Sequence, residues 1–339
     1  MSSQKYLDYL KSNQPIIEPD QELSIVAFDP KYAEGIAICY YLVYSDTFPM
    51  SYVYEPDQIV AAFSGGKQYC MLAVTPKNEV VGISSMFTYA PNHRIWEVGS
   101  IMVINEYRKN SRLAMSLVSA ITKFSDEMDT DATYGMTVCN HKFTQISGVR
   151  NKYVPTALEV DSFTNFENGS PVTTSLHYFF KIKNNTPMQI SFPDRYRAIC
   201  TKIYDRLEAN RTIVPCSPST EKQTKVSSLL ISTSLKIQVE QYGDDFMNVI
   251  DDCISKLPVG KYFHVNIPLQ LAGMDQAVET LFANGYVFAG ILPLWNGVDC
   301  LMMQKISTTP KYENIILYDS LSKEILELIK EEITIKSKV

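Results

Sequence analysis

Residues Trp96 to Leu117, WEVGSIMVINEYRKNSRLAMSL, gather three cations, Arg108, Lys109 and Arg112, at the point where a strand gives way to a helix. The strand half is rich in β-branched residues and alternates Glu97, Gly99, Ile101 and Val103 against Val98, Ser100 and Met102. Leu113, Leu117, Ile121 and Phe124 recur at helical spacing, so the helix starts near Asn110 or Ser111, either of which can cap it. The free N–H groups of its first turn then lie among Arg108, Lys109 and Arg112. Unpaired donors, the helix dipole and side-chain charge all favour a phosphate there. Without an anion the same cations oppose the dipole, so phosphate contact is favoured over a purely structural role.

The chain around this turn is an ordinary globular one. Its 339 residues exceed the usual single-domain size and predict two modules. With 45% hydrophobic and 20% charged residues it can build a full core, and no long stretch has a disordered composition. A net charge of -6 supplies no general basic field, so no nucleic-acid partner is expected. The start, MSSQKYLDYLKSNQP, has no apolar signal region, and IAICYYLV is too short to span a bilayer, which predicts a cytoplasmic protein without a membrane span. Seven single cysteines with no C-x-x-C pair and four scattered histidines predict neither a disulfide framework nor a metal site.

The elements that must position the turn follow from periodicity. Strands are expected at 23–27, 69–75, 80–89, 133–139, 156–163 and 174–182, with Pro76, Lys77 and Asn78 as a hairpin turn. Helices are expected at 32–44, 58–63 and 142–151. The result is an α/β (α+β) fold: a mixed, mostly antiparallel sheet flanked by helices. A first domain over 1–190 leads through a helix and a Ser/Thr/Pro-rich connection, 191–225, to a smaller second domain over 226–339. The latter reads strand 229–240, helix 244–257, strand 262–267, helix 273–283 and two further strands, repeating weakly the plan of 132–160. A terminal helix, SLSKEILELIKEEI, carries Leu321, Ile325, Leu328 and Ile329 on one face, for docking within the chain or for dimerisation, so monomer and homodimer both stay open.

The order hairpin, long strand, basic turn, helix, strand, helix, strand in residues 20–185 resembles the GNAT superfamily of acyl-CoA-dependent N-acyltransferases, and the two-module plan looks like its bidomain members. The family signature Arg/Gln-x-x-Gly-x-Gly/Ala is matched by Arg108-Lys109-Asn110-Ser111-Arg112-Leu113-Ala114, with Ser111 and Leu113 in place of the glycines. Serine is small and can donate, but it gives the backbone fewer ways to approach a phosphate than glycine. The resemblance implies a GNAT fold, a GNAT-like second module, acyl-CoA or acetyl-CoA as co-substrate, and a small-molecule or peptide amine, or a guanidine, as acceptor.

It also implies roles. The cofactor would lie along Ile101, Met102 and Val103 and the turn from Arg108 to Ala114, a backbone N–H near Met102 or Val103 polarising the thioester oxygen. Attack needs a neutral amine, hence a base. Glu97 stands at the family's position for it; otherwise it faces solvent or pairs with Arg94. His141 follows the 133–139 strand as a second base or as a helix-capping residue. The family's acid, a Tyr four residues before Gly-Phe, falls on Val149, which cannot donate; Tyr134, Cys139 and Tyr153 are substitutes or packing residues. Tyr52 and Tyr54 would form the acceptor wall or contribute to the core. In the second module the corresponding junction, Glu240 to Asp245, is acidic and predicts no pyrophosphate site. Two other functions stay open: a weakly active or inactive acyl-CoA or peptide-binding protein, and a tRNA-dependent aminoacyl transferase of tandem GNAT fold.

Overall fold

The computed structural model describes the chain except residues 1–4, 49, 110, 168–169, 232–233, 257–261, 307–308 and 337–339, and describes the backbone alone at 111, 165–167, 170–171, 231 and 336. It forms two compact units, residues 1–89 with 96–130, and residues 90–95 with 131–339.

The first unit runs α1 (Lys5–Asn13), β1 (Ser24–Ala27), α2 (Ala33–Tyr44), α3 (Pro56–Ser64), β2 (Gln68–Val74), β3 (Val80–Phe87), β4 (Ile95–Val103) and α4 (Ser111–Glu127). The strands pair antiparallel in the order β1-β2-β3-β4. Tyr69 stacks on Trp96 of β4 and Phe124 of α4, so α4 covers the face that carries Tyr69, Met86 and Trp96. The buried stripe Leu113, Leu117, Val118 and Ile121 of α4 follows the expected helical spacing. Each such side chain, fully buried, stabilises the fold by roughly 1.5–3 kcal/mol. The opposite face packs against α2 and α3 through Cys70, Leu72 and Ile83.

The alternation read along β4 breaks in the middle. Phe87 faces Glu97 and Ser85 faces Gly99, but Ile83 faces Met102, so Ser84 has two residues opposite it, Ser100 and Ile101. Ser100 takes the left-handed conformation, φ 48°, that lets a strand absorb one extra residue. Beyond this bulge Met102 lies on the face of Glu97 and Gly99, and Val103 on the other.

The second unit continues with β5 (Ala132–Val138), α5 (Phe143–Arg150), β6 (Val154–Glu167), β7 (Ser170–Ile182), β8 (Met188–Ile190), α6 (Arg197–Leu207) and β9 (Arg211–Ile213). Then come β10 (Lys225–Ile231), β11 (Ser234–Gln241), α7 (Phe246–Ser255), β12 (Tyr262–Pro268), α8 (Met274–Ala283), β13 (Val287–Leu292), β14 (Cys300–Lys305) and α9 (Ser320–Lys336). Its main sheet has the order β5-β7-β6-β13-β14-β12-β11-β10, antiparallel except between β11 and β12. The mixed, mostly antiparallel sheet flanked by helices is thus the fold of the chain. The strand expected over 229–240 is instead the hairpin β10–β11. β6 and β7 share one core with α6, β13 and α9.

Two features of this unit are polar. Glu159 of β6 accepts from Lys236 Nζ of β11 at 2.7 Å and from Tyr178 of β7 at 2.7 Å, and Lys236 also bonds the Tyr178 hydroxyl. His264 Nε2 lies 3.5 Å from the same carboxylate, and its Nδ1 is 3.0 Å from Ser234 Oγ. All five side chains are buried. The Ser/Thr/Pro-rich connection, in turn, is an ordered strap across two helix starts. Gly273 N before α8 donates to Ser217 O at 2.7 Å, and Gly243 N and Asp244 N before α7 donate to Thr224 Oγ1 (3.0 Å) and Glu221 O (3.2 Å). A Cβ on Gly243 would stand 2.4 Å from the Gln223 carbonyl carbon, so only glycine admits the strap.

Candidate functional site

Cross-strand register assembles the site in the first unit. On the face opposite α4, Gln68, Phe87 and Glu97 form one row across β2, β3 and β4, and Cys70, Ser85 and Gly99 form the next. Glu97 is only 5% exposed, so it does not simply face solvent. The Arg94 guanidinium binds both carboxylate oxygens of Asp131 at 2.9 Å. The missing side chain of Gly99 leaves room for the carboxylate, since a Cβ there would lie 3.2 Å from Glu97 Oε1 and 3.0 Å from Phe87 Cζ.

Aromatic groups surround this carboxylate. Tyr89 lies edge-on to Phe87 at 4.8 Å and donates to Met50 Sδ at 3.4 Å. Burial raises the Tyr89 phenol to about 12, with the charge of Glu97 and the neighbouring Tyr52 adding to the effect. At 41% exposure Tyr89 is the outer member of the group. Tyr52 is half-buried and donates to Gln68 Oε1 at 2.9 Å, in the row that holds Glu97. Tyr54 is 1% exposed and accepts from Phe48 N at 3.1 Å, which makes it a core residue tying down its own turn. Gln68, Phe87 and Tyr89 escaped the sequence reading. The excess of tyrosine hinted at such a group, but only register brings its members together.

The basic turn follows β4 as expected, and α4 starts at Ser111. Arg108 and Lys109 are exposed and enter no ion pair among the described residues, while Arg108 Nε donates to Val103 O at 2.9 Å. Arg112 is exposed as well, and the first turn of α4 contains no acidic residue. With no acidic residue in that turn, the charges of Arg108 and Lys109 and the helix dipole all favour an anion at this helix start. Asn110 and the side chain of Ser111 lie outside the described residues. Leu113 is buried in the core, so what it offers a ligand is its backbone; Ala114 and Ile101 are half-buried, and Met102 and Val103 nearly buried.

The remaining candidates lie in the second unit. His141 is exposed and does not cap α5; its carbonyl accepts from Gln145 Nε2 at 3.1 Å, and partial enclosure lowers its pKa, leaving the ring neutral at pH 7. Tyr153 is buried, with its hydroxyl 2.9 Å from Thr133 Oγ1. Tyr134 and Cys139 are fully buried, and burial pushes the Cys139 thiol to about 12. No helix among the described residues is long and apolar enough to cross a membrane, and no group of three or more metal-binding side chains occurs among them.

No family model matches the chain, and no curated protein matches its sequence. Solved structures of GNAT N-acetyltransferases resemble about half of it. Arabidopsis thaliana NAA60 in complex with a bisubstrate analogue is 15% identical over 49% of this chain and 100% of its own, with a TM-score of 0.38. RimL, a ribosomal L7/L12 α-N-protein acetyltransferase in complex with coenzyme A, is 13% identical over 50% and 99%, with a TM-score of 0.37. The spermidine/spermine N-acetyltransferase SpeG from Vibrio cholerae is 13% identical over 48% and 92%, with a TM-score of 0.38.

Proposed function

We propose that the chain is an N-acyltransferase that moves the acyl group of acyl-CoA to an amine, on a small molecule or a peptide, by direct attack in a ternary complex. The observation that carries this reading is a carboxylate, Glu97, buried among aromatic rings on the strand that leads directly into a cationic helix start. In this scheme the exposed Arg108 and Lys109, with Arg112 and the first N–H groups of α4, hold the pyrophosphate. Glu97 takes the proton of the incoming ammonium, directly or through one water. The freed lone pair forms the C–N bond, the C–S bond breaks, and the second amine proton leaves to solvent. A β4 backbone N–H at the bulge or near Met102 faces the developing oxyanion.

His141 is the second candidate for a base. Tyr153 has its hydroxyl against Thr133, which supports a reaction in which the thiolate leaves without a dedicated acid and takes its proton from water. The same fact keeps a binding protein of low activity as the alternative.

Release of free thiol from acetyl-CoA and longer acyl-CoAs with a panel of amines tests the proposal. Glu97→Gln is expected to lower turnover at neutral pH about 100-fold or more, the usual worth of a general base, with coenzyme A affinity unchanged. Unchanged turnover removes Glu97 as the base. Coenzyme A binding with no thiol release from any amine favours the binding protein, and protection from heat by tRNA but not by coenzyme A favours the tRNA-dependent transferase.

A further inference from the structure

Gln68 opens β2 in the cross-strand row that ends on Glu97, with Phe87 between them. Residues directly opposite one another share a face of the sheet, so the Gln68 carboxamide lies on the face of that carboxylate. One partner decides how the carboxamide is turned. The Tyr52 phenol donates to Gln68 Oε1 at 2.9 Å. Burial raises the Tyr52 pKa, so the phenol keeps the proton that it donates. With Oε1 engaged by Tyr52, the two hydrogens of Nε2 are turned the other way, and no acceptor among the described residues takes them. Gln68 is half-buried, which leaves those donors within reach of a ligand.

The row therefore makes opposite demands at its two ends. Glu97 accepts, which suits an amine. Gln68 presents the Nε2 hydrogens two strand spacings away, about 10 Å across the sheet. A polyamine brings N–H groups to both ends, and Glu97 is the one carboxylate in the group of Tyr52, Gln68, Phe87, Tyr89 and Glu97. A peptide brings carbonyl oxygens as well. Two to three residues of extended chain, at up to about 3.5 Å each, cover the interval.

We propose that Gln68, oriented by Tyr52, is a specificity-determining residue that selects acceptor amines carrying a peptide carbonyl over polyamines. The proposal rests on the acyltransferase reading above. Thiol release is measured with a tripeptide amide whose amino terminus is free and with spermidine, using the acyl-CoA that supports turnover. The wild type is expected to give a kcat/KM at least about 10-fold higher for the tripeptide. Gln68→Glu keeps the shape and an acceptor for Tyr52 but sets a carboxylate where the donors were. It is expected to reduce that ratio about 10-fold or more, losing the peptide and gaining spermidine. Gln68→Met, of similar volume, is expected to lower the tripeptide value about 5- to 10-fold, the worth of one hydrogen bond, and to leave spermidine unchanged. Coenzyme A affinity is expected to stay the same in both variants.

A Gln68 that merely packs would move the two acceptors together. An active wild type with no preference for the tripeptide, or a ratio unchanged in both variants, overturns the selecting role alone. A wild type that releases no thiol with any amine overturns the acyltransferase reading, and the selecting role with it.

Discussion

Acidification from pH 7 to pH 5 is expected to destabilise the second unit by about 4 kcal/mol through two histidines. Burial lowers His264 from 6.5 to about 4, Glu159 opposing the shift and Lys236 adding to it. Burial lowers His177 from 6.5 to about 3, with Asp319 in opposition. Both rings are therefore neutral in the native state over a range where the unfolded chain protonates them. The unfolded state binds more protons below pH 6.5, so stability is highest above that value and declines down to each folded pKa, where the slope ends. At pH 5 an ordinary histidine is almost fully charged and these two are almost fully neutral, which amounts to about 2 kcal/mol each relative to pH 7. Burial alone would raise the Glu159 carboxyl, but His264, Lys236 and Tyr178 pull it down to about 2, so it stays charged over this range. Urea unfolding at pH 7, 6 and 5 followed by tryptophan fluorescence measures the effect, Trp295 reporting from beside Tyr134 and Tyr178. The His177→Gln/His264→Gln variant is expected to lose most of the pH dependence. A loss below about 1 kcal/mol in the wild type, or an undiminished slope in the double variant, would refute the reasoning.

Lys236→Met strands the Glu159 carboxylate in the core and is expected to cost about 3–5 kcal/mol in the same titration at pH 7, with Glu159→Gln on top recovering part of the loss. Arg108→Ala and Lys109→Ala are each expected to weaken coenzyme A about 5-fold by calorimetry, less at high salt because both side chains are exposed. Gly99→Ala drives a methyl against Phe87 and the Glu97 carboxylate; turnover is expected to drop at least about 10-fold while circular dichroism stays native. Normal turnover in that variant would show that the placement of Glu97 does not matter.

Much of the first unit was legible because its signals are periodic. The helical repeat of Leu113, Leu117 and Ile121 gave α4, and alternation on either side of Pro76-Lys77-Asn78 gave the β2–β3 hairpin. Non-periodic devices were not legible. The bulge falls on Ser100 and not on the neighbouring Gly99, and L-L-I-S-T-S-L-K-I contains no glycine, proline or asparagine, so β10 and β11 read as one strand. Near its amino end the chain forms α1, which the short and polar segment KYLDYLKSN did not announce. The burial of Glu97 depends on cross-strand neighbours, which have no local signature. Lys236 and Glu159 did leave a trace, as single charges inside apolar strands, yet nothing along the chain says that residues 77 positions apart share a hydrogen bond.

The strap over α7 and α8 acts as a ligand the protein carries with it. Because the segment is tethered at both ends, it meets those two helix starts at an effective concentration of millimolar or more, whatever the medium contains. A dissolved phosphate would have to displace Ser217, Glu221 and Thr224 before it could use the same amides. The two units thus treat the same opportunity, a helix beginning at the end of a strand, in opposite ways: α4 opens on cations with no acidic residue in its first turn, and the amides that lead into α7 and α8 are already bonded to the chain's own strap.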